Sequence, residues 1–257
     1  MSNAKLPIAV QMYTLRSLTT PLDDLLGQLA AIGYSGIETV GNQGVADPAE
    51  LRGLLDKHGL TVCSAHVALA QLEADMDGVV RFHQAIGNQT LVIPWIGETL
   101  RSPDGAGWQK LGNKLDGLGQ QLRDQGMKLL YHNHAFEMAE IEGELAIDWL
   151  LDGADARNVG FEIDLAWVQR GNQNGVKLLS RYAGRCPRIH CKDVAAAGQN
   201  EDQMGFADVG YGVMVWSELL AAAKAAGAEW YIVEHDLPKE PLESVRRSYG
   251  FLSKQLA

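Results

Sequence analysis

The stretch TPLDDLLGQLAAIGYSGIE, residues 20–38, contains the unit from which the whole chain is built. Thr20 and Pro21 suit the start of a helix, and the leucines that follow recur on one helical face. Gly33 suits the left-handed cap that ends such a helix. The short apolar segment Gly36-Ile37-Glu38 follows at once. The stretch therefore predicts an amphipathic helix, a glycine cap and a β-strand.

The same unit recurs along the chain. Further helix ends are predicted at Gly59, Gly87, Gly126, Gly184 and Gly227. Eight strands are predicted, at Ile8–Tyr13, Gly36–Glu38, Leu60–Val62, Thr90–Trp95, Met127–His132, Val159–Asp164, Ile189–Lys192 and Trp230–Glu234. Alternating strands and helices imply parallel pairing, and eight units in 257 residues fit an eight-stranded parallel (β/α)8 barrel. We expect one such domain over residues 1–257. An open doubly wound sheet is the alternative, but no GxGxxG follows the first strand.

Composition excludes several classes of function. The chain has 22 Lys and Arg against 32 Asp and Glu, a net charge of −10, which disfavours nucleic acid and anionic membranes as partners. Three scattered cysteines without a CxxC motif indicate reduced thiols. No long apolar run predicts a membrane span or a secretion signal. We therefore expect a soluble cytoplasmic enzyme or small-molecule binder, with monomer and homo-oligomer both open.

Ionisable residues concentrate at the predicted carboxyl ends of the strands, where such barrels carry their active sites. Strand side chains alternate between faces, so acidic and imidazole groups two residues apart converge on one mouth. Burying them unpaired is costly, and a divalent cation offsets that cost most simply. Two imidazoles and two carboxylates suit Mn²⁺, Zn²⁺, Co²⁺ or Fe²⁺. The predicted ligands are His132, Asp164, His190 and Glu234, and the alternative is a set of separate capping or ion-pairing residues.

Short motifs follow one another at successive strand ends. They are Val10-Gln11-Met12-Tyr13 with Arg16, Gly36-Ile37-Glu38, Ser64-Ala65-His66, Tyr131–Glu137, Glu162-Ile163-Asp164, His190-Cys191-Lys192-Asp193, Gly210-Tyr211-Gly212 and Val233-Glu234. Because these motifs occur in this order, the chain resembles the sugar phosphate isomerase/epimerase family, the xylose isomerase-like TIM barrels, over nearly its whole length. The resemblance implies one divalent metal held by strands five to eight and a small carbohydrate substrate.

The strand-five ligand departs from the pattern of the family that the chain resembles. Many relatives carry a Glu at the position of His132, and those that epimerise ketoses use two metal-bound glutamates to exchange the proton. Either His132 binds the metal or Glu137 replaces the missing carboxylate. The position of His132 on the strand itself favours His132.

The resemblance implies metal-assisted proton abstraction next to a carbonyl. We expect Glu137 or His134 to be the base and Glu234 to combine ligand and acid–base roles. Lys192 is expected to hydrogen-bond a substrate oxygen or help hold the enediolate, and a salt bridge to Asp193 or Glu162 is the alternative.

Five further side chains are candidates for substrate binding. Glu38 and His66 are expected to line the floor and bind hydroxyls. Tyr13, Trp95 and Trp167 are expected to form an apolar wall against a sugar ring, with ordinary packing as the alternative.

The favoured function is a metal-dependent sugar isomerase or epimerase. Lyase or hydrolase chemistry on a keto-sugar, as in inosose dehydratases or in elimination from 3-keto-glycosides, is an alternative, as is a non-catalytic sugar-binding barrel. A multi-metal apurinic endonuclease shares this barrel type. The charge disfavours it, and Pro94 and Trp167 stand where those enzymes carry histidines.

Overall fold

Eight parallel strands close into a barrel in the computed structural model, which describes residues 7–257. They are β1 (Ile8–Gln11), β2 (Gly36–Val40), β3 (Thr61–His66), β4 (Thr90–Ile93), β5 (Lys128–His132), β6 (Val159–Asp164), β7 (Arg188–Cys191) and β8 (Trp230–Val233). Consecutive strands pair in order, and β8 pairs with β1 to close the sheet. The predicted parallel (β/α)8 barrel is confirmed.

Helices connect the strands on the outside of the barrel. They are α1 (Leu22–Ile32), α2 (Pro48–His58), α3 (Leu69–Ala74), α4 (Met76–Ala85), α5 (Gly105–Asp124), α6 (Ala146–Asp152), α7 (Leu165–Arg170), α8 (Gly175–Arg181), α9 (Trp216–Ala225) and α10 (Pro241–Leu256). Within residues 7–257, none of these helices is both long enough and apolar enough to cross a membrane.

The helix ends follow the local sequence closely. Gly33 and Gly59 have positive φ angles of 122° and 62°, and the other four predicted glycine ends are also at positive φ. The start of α1 differs by one residue from the prediction. Pro21, not Thr20, occupies the cap position, because its extended ψ of 143° leaves Leu22 as the first helical residue.

The barrel has an apolar outer layer and a small apolar plug inside. The outer layer lies between strands and helices and buries alternate strand residues such as Val10 and Ile37. A separate cluster joins Ala9, Cys63 and Ile232 from three strands. Two residues further along β1 and β8, the inward side chains become polar. The plug therefore closes the amino end of the lumen and leaves the carboxyl end for polar groups.

The loop after β7 is organised by one buried carboxylate, Asp193. Its two oxygens accept five hydrogen bonds, from the backbone N–H groups of Val194, Gly210, Gly212 and Met214 and from the indole N–H of Trp216. A Cβ on Gly212 would lie 2.2 Å from the Asp193 carboxylate, which explains the glycine. Asp193 therefore holds this loop and faces away from the neighbouring Lys192 side chain.

We predict that Asp193→Ala lowers the free energy of unfolding by at least about 3 kcal/mol, because several buried donors lose their acceptor at once. Urea denaturation followed by circular dichroism measures the change. Asp202→Ala is the matched control, since Asp202 is an exposed carboxylate paired with Lys239 and its removal should have little effect. Equal midpoints for the two variants would contradict this account of the loop.

Candidate active site

Four buried side chains bring their ligand atoms together at the carboxyl end of the barrel. His132 ends β5, Asp164 ends β6, His190 lies in β7 and Glu234 directly follows β8. One atom from each lies within 4.8 Å of those of the other three. The strand register contributes to this, because Asp164 is paired with His190 across β6 and β7. The structure thus brings together the four ligands predicted from the sequence.

The Asp164 carboxylate has an oxygen that suits a cation. Its Oδ1 accepts a hydrogen bond of 2.9 Å from the Trp167 backbone N–H at the start of α7. Its Oδ2 is buried and lies 3.0 Å from the Lys192 ammonium, without a further hydrogen-bond partner in the described residues. His190 Nδ1 lies 4.0 Å from this oxygen and 3.1 Å from Glu234 Oε2. A buried carboxylate oxygen beside an imidazole nitrogen and a second carboxylate is a donor set that fits Mn²⁺, Zn²⁺, Co²⁺ or Fe²⁺.

Lys192 is fully buried beside these candidate ligands. Its Nζ lies 3.0 Å from Asp164 Oδ2, 2.7 Å from Glu234 Oε2 and 2.9 Å from Asp236 Oδ1. Burial alone would lower the pKa of Lys192, but the three carboxylates raise it above its usual value. Lys192 is therefore ion-paired as the alternative expected, but with these three carboxylates and not with Asp193 or Glu162, and it offsets acidic charge at the site.

A second layer of polar side chains lies deeper in the lumen, beneath the four candidate ligands. His190 Nε2 is 2.7 Å from Glu38 Oε2 and 3.0 Å from Glu162 Oε1. The same Glu162 oxygen lies 3.2 Å from His132 Nδ1 and 2.8 Å from His66 Nε2. His66, His132, Glu162 and His190 form a second group whose ligand atoms lie within 4.8 Å of one another. The two groups share His132 and His190.

Both carboxylates of the deeper layer are ionised although they are fully buried. Burial alone would raise the pKa of Glu38, but the imidazoles of His66 and His190 hold it well below its usual value. Burial and the charge of Glu38 act to raise the pKa of Glu162, and His190 and His132 nevertheless lower it to about 2. The layer is therefore held together by opposite charges.

A cavity opens above the four candidate ligands, and Glu38 does not line it. This differs from the prediction that Glu38 binds substrate hydroxyls. Gln11 Nε2 donates to its Oε2 at 2.6 Å, and Ser64 Oγ donates to its Oε1 at 2.5 Å. With both oxygens occupied beneath the floor, this carboxylate cannot reach a substrate. Gln11 and Ser64 were not predicted as site residues, although each stands in a strand-end motif and is a polar residue in a buried strand.

A cavity of about 710 Å³ opens above the four candidate ligands. Among the predicted substrate-binding and catalytic residues, its lining includes Tyr13, His66, Trp95, His134, Trp167 and Glu234. Asp236 and Arg16 also line it and were not predicted as site residues. Asp236 lies two residues after Glu234, and this shared strand face is the signal that could have identified it.

His134 is a neutral imidazole in the cavity wall. Burial, and then the charge of Lys192, lower its pKa to about 3. Its Nδ1 is buried and has no hydrogen-bond partner in the described residues, and the same holds for Trp167 Nε1. The two rings lie 5.3 Å apart between centroids. They suit hydrogen bonding to a ligand better than strong base catalysis.

The structure does not bring Glu137 to the cavity, where it was predicted as the base or a replacement ligand. Its carboxylate accepts hydrogen bonds of 2.7 Å from the Tyr131 hydroxyl and the His134 backbone N–H. Tyr131 points to the opposite face of β5 from His132, because neighbouring strand residues alternate. Glu137 therefore packs on the outer side of the barrel wall. Of the two strand-five alternatives, the geometry brings His132 to the ligand group.

We predict a pH-dependent contribution of Glu137 to stability. Burial raises its pKa from 4.5 to about 7. Because the folded state binds this proton more tightly, the stabilisation is complete below pH 4.5 and is lost as the pH rises through about 7. The free energy of unfolding of the wild type minus that of Glu137→Gln should fall by at most about 3 kcal/mol over this range. Urea denaturation at several pH values measures this difference.

Glu140→Gln is the control, since Glu140 is an exposed carboxylate close to Glu137 in the chain. Its difference from the wild type should change little with pH. A constant difference for Glu137→Gln as well would show that the folded protein does not retain the proton.

Comparison with known proteins agrees with this geometry. A family model described as the xylose isomerase-like TIM barrel matches residues 26–255. The chain is 26% identical to the inosose dehydratase of Clostridium botulinum over 67% of this chain and 63% of that protein, which is less than two thirds of it. It is 24% identical to the inosose dehydratase of Lacticaseibacillus casei over 91% of this chain and 87% of that protein. The structure of a sugar phosphate isomerase/epimerase from Parabacteroides distasonis superposes with a TM-score of 0.82 at 20% identity, covering 100% of this chain and 96% of that one. The chain therefore belongs to the xylose isomerase-like TIM barrel family.

Proposed function

We propose that this protein is a divalent-metal-dependent lyase that removes water from a cyclic keto-polyol of the inosose class. The observation that carries the proposal is the donor set, in which a histidine, His132, contributes the strand-five ligand atom. Proton exchange between two metal-bound glutamates, as the isomerase interpretation requires, lacks its strand-five carboxylate here. The similarity to two inosose dehydratases supports the same choice. The dehydratase is therefore better supported than the isomerase or epimerase favoured from sequence.

The reaction needs a proton acceptor, a proton donor and stabilisation of negative charge on a carbonyl oxygen. A divalent cation held by His132, Asp164, His190 and Glu234 supplies Lewis acidity toward that carbonyl. A carboxylate of the cavity wall, Glu234 or Asp236, accepts the proton on the carbon next to the carbonyl, and the electron pair moves onto the oxygen. When the carbonyl re-forms, a double bond forms between the deprotonated carbon and the next carbon, and the bond from that next carbon to its hydroxyl breaks. That hydroxyl leaves as water with the proton returned by the carboxylate.

Other side chains set the conditions for this step. The Lys192 ammonium keeps adjacent carboxylates close together. His66 and His134 line the cavity and offer ring nitrogens to substrate oxygens. The proposal keeps the remaining expectations from sequence, namely one Mn, Zn, Co or Fe ion, a small carbohydrate substrate, a cytoplasmic location and one domain.

We predict that the purified wild type takes up about one equivalent of Mn²⁺, Co²⁺ or Zn²⁺ and then converts an inosose to a product lighter by one water. Asp164→Ala and His190→Ala should each lower metal affinity by more than about 100-fold, since each removes a ligand. Elemental analysis measures the metal and mass spectrometry the product.

Asp202→Ala, an exposed carboxylate variant, should bind metal and turn over like the wild type. Failure of the folded wild type to take up any of these metals would overturn the proposal. Metal uptake with sugar isomerisation and no loss of water would restore the isomerase interpretation.

A second candidate function is elimination from a 3-keto-glycoside, and the mouth of the cavity favours it. Tyr13, Trp95 and Met204 line the cavity while remaining 42%, 49% and 44% exposed. Arg101 stacks on the Trp95 ring at 4.3 Å and holds it. A cyclic polyol leaves such apolar surface unused, whereas an aglycone or second sugar ring would cover it.

We predict that, if a 3-keto-glycoside is a substrate, Trp95→Ala raises its KM by roughly tenfold, because an aromatic stacking contact of about 1.4 kcal/mol is lost. The KM of an inosose should be unchanged. Leu100→Ala is the control, since Leu100 is 39% exposed and does not line the cavity. Steady-state kinetics with an aryl 3-keto-glucoside and an inosose measures both values. Equal effects of Trp95→Ala on the two substrates would exclude a separate subsite for the second ring.

A further inference from the structure

The two overlapping ligand groups cannot both be filled through the same histidine nitrogens. The outer group comprises His132, Asp164, His190 and Glu234, and the deeper group comprises His66, His132, Glu162 and His190. We propose that Glu38 and Glu162 decide between them, by fixing which ring nitrogens of His190 and His132 carry hydrogen and which remain free to bind the cation. This inference rests on the proposed function for the presence of a metal and goes beyond it in assigning the groups that position its ligands.

The contacts of His190 fix one nitrogen as the donor. Its Nε2 lies 2.7 Å from Glu38 Oε2, in a fully buried pair, so Nε2 donates to that carboxylate. Without a cation the other nitrogen, which faces the Glu234 carboxylate, also carries hydrogen; a bound cation takes the place of that hydrogen and leaves this nitrogen as the ligand atom. That nitrogen, Nδ1, faces Glu234 Oε2 at 3.1 Å and Asp164 Oδ2 at 4.0 Å. His190 therefore offers its lone pair to the outer group.

Glu38 is itself held as an acceptor. The Gln11 amide and the Ser64 hydroxyl donate to it from β1 and β3. Because these donors bond to both of its oxygens, the Glu38 carboxylate cannot turn away from His190. The orientation of one imidazole in β7 is thus set by residues on three other strands.

Glu162 acts in the same way on His132. Its Oε1 lies 3.2 Å from His132 Nδ1 and 2.8 Å from His66 Nε2. When Nδ1 of His132 donates to this carboxylate, Nε2 remains as the ligand nitrogen. A cation in the deeper group would have to replace these donors and also take the hydrogen from His190 Nε2. The deeper group is therefore a supporting layer of carboxylate–histidine pairs beneath the metal.

The two arrangements predict different numbers of imidazole ligands. The outer group contains two histidines and the deeper group contains three. X-ray absorption spectroscopy of the Zn²⁺- or Co²⁺-loaded wild type counts imidazole ligands without any measurement of activity. We expect two. His66→Gln, whose amide can still donate to Glu162, should keep about one equivalent of metal and the same ligand count.

The role of Glu38 is tested by metal titration. Glu38→Ala should weaken Zn²⁺ or Co²⁺ binding by roughly 10–100-fold, because His190 Nε2 loses its acceptor. Glu38→Gln should recover most of the affinity, since its amide oxygen can accept the same hydrogen bond. Ser64→Ala is the comparison variant, because it removes a contact to the far oxygen of Glu38 and leaves the His190 contact in place, so it should weaken metal binding less than Glu38→Ala does. Circular dichroism of the metal-free variants verifies that each is folded.

The outcomes separate this inference from the proposed function. Three imidazole ligands in the wild type, or loss of metal binding in His66→Gln, would overturn the inference while leaving a metal enzyme. Equal affinities for folded Glu38→Ala and Ser64→Ala would also overturn it. A wild type that binds no metal would overturn both.

Discussion

Repulsion among carboxylates in the barrel lumen is the constraint on which the site depends. Period-two alternation turns acidic residues of several strands inward, and closure of the sheet brings them within a few ångströms of one another. Such a group is stable only if cations or hydrogen-bond donors stand between its members. Lys192 does so for the outermost carboxylates, and the imidazoles do so one level deeper. The carboxylates concerned are Glu38, Glu162, Asp164, Glu234 and Asp236.

Strand β7 and the residue after it supply most of that compensation. Every second side chain of this segment points into the lumen. Arg188, His190 and Lys192 therefore lie at three successive depths of the lumen. Arg188 donates to the Cys63 carbonyl oxygen and pairs with Glu229 near the amino end of the barrel. His190 bridges the deeper carboxylates and the outer ones, and Lys192 pairs with the outer ones alone. A single strand face thus carries the positive counterpart to acidic groups from three other strands, β2, β6 and β8.

This arrangement separates support from chemistry. Each layer has one buried carboxylate oxygen without a hydrogen bond in the described residues, Glu162 Oε2 in the deeper layer and Asp164 Oδ2 in the outer one. Glu234 of the outer layer lines the cavity, whereas Glu38 and Glu162 of the deeper layer do not. The mouth above is apolar, with Trp95 and Tyr13 half exposed.

Local pattern alone determined the (β/α)8 barrel, since helix periodicity, glycine caps and β-branched runs are properties of neighbouring residues. It also identified the four side chains of the outer group, because strand ends and side-chain parity follow from sequence spacing. The local pattern could not give the depth of a side chain in the lumen or the residues that it contacts. Glu38 lies beneath the floor and Lys192 is paired with three carboxylates because barrel closure and strand register set contacts between residues up to 152 positions apart. Glu137 follows its strand in an irregular turn, where no periodicity tells inside from outside, so only the tertiary structure decided that it packs behind the wall.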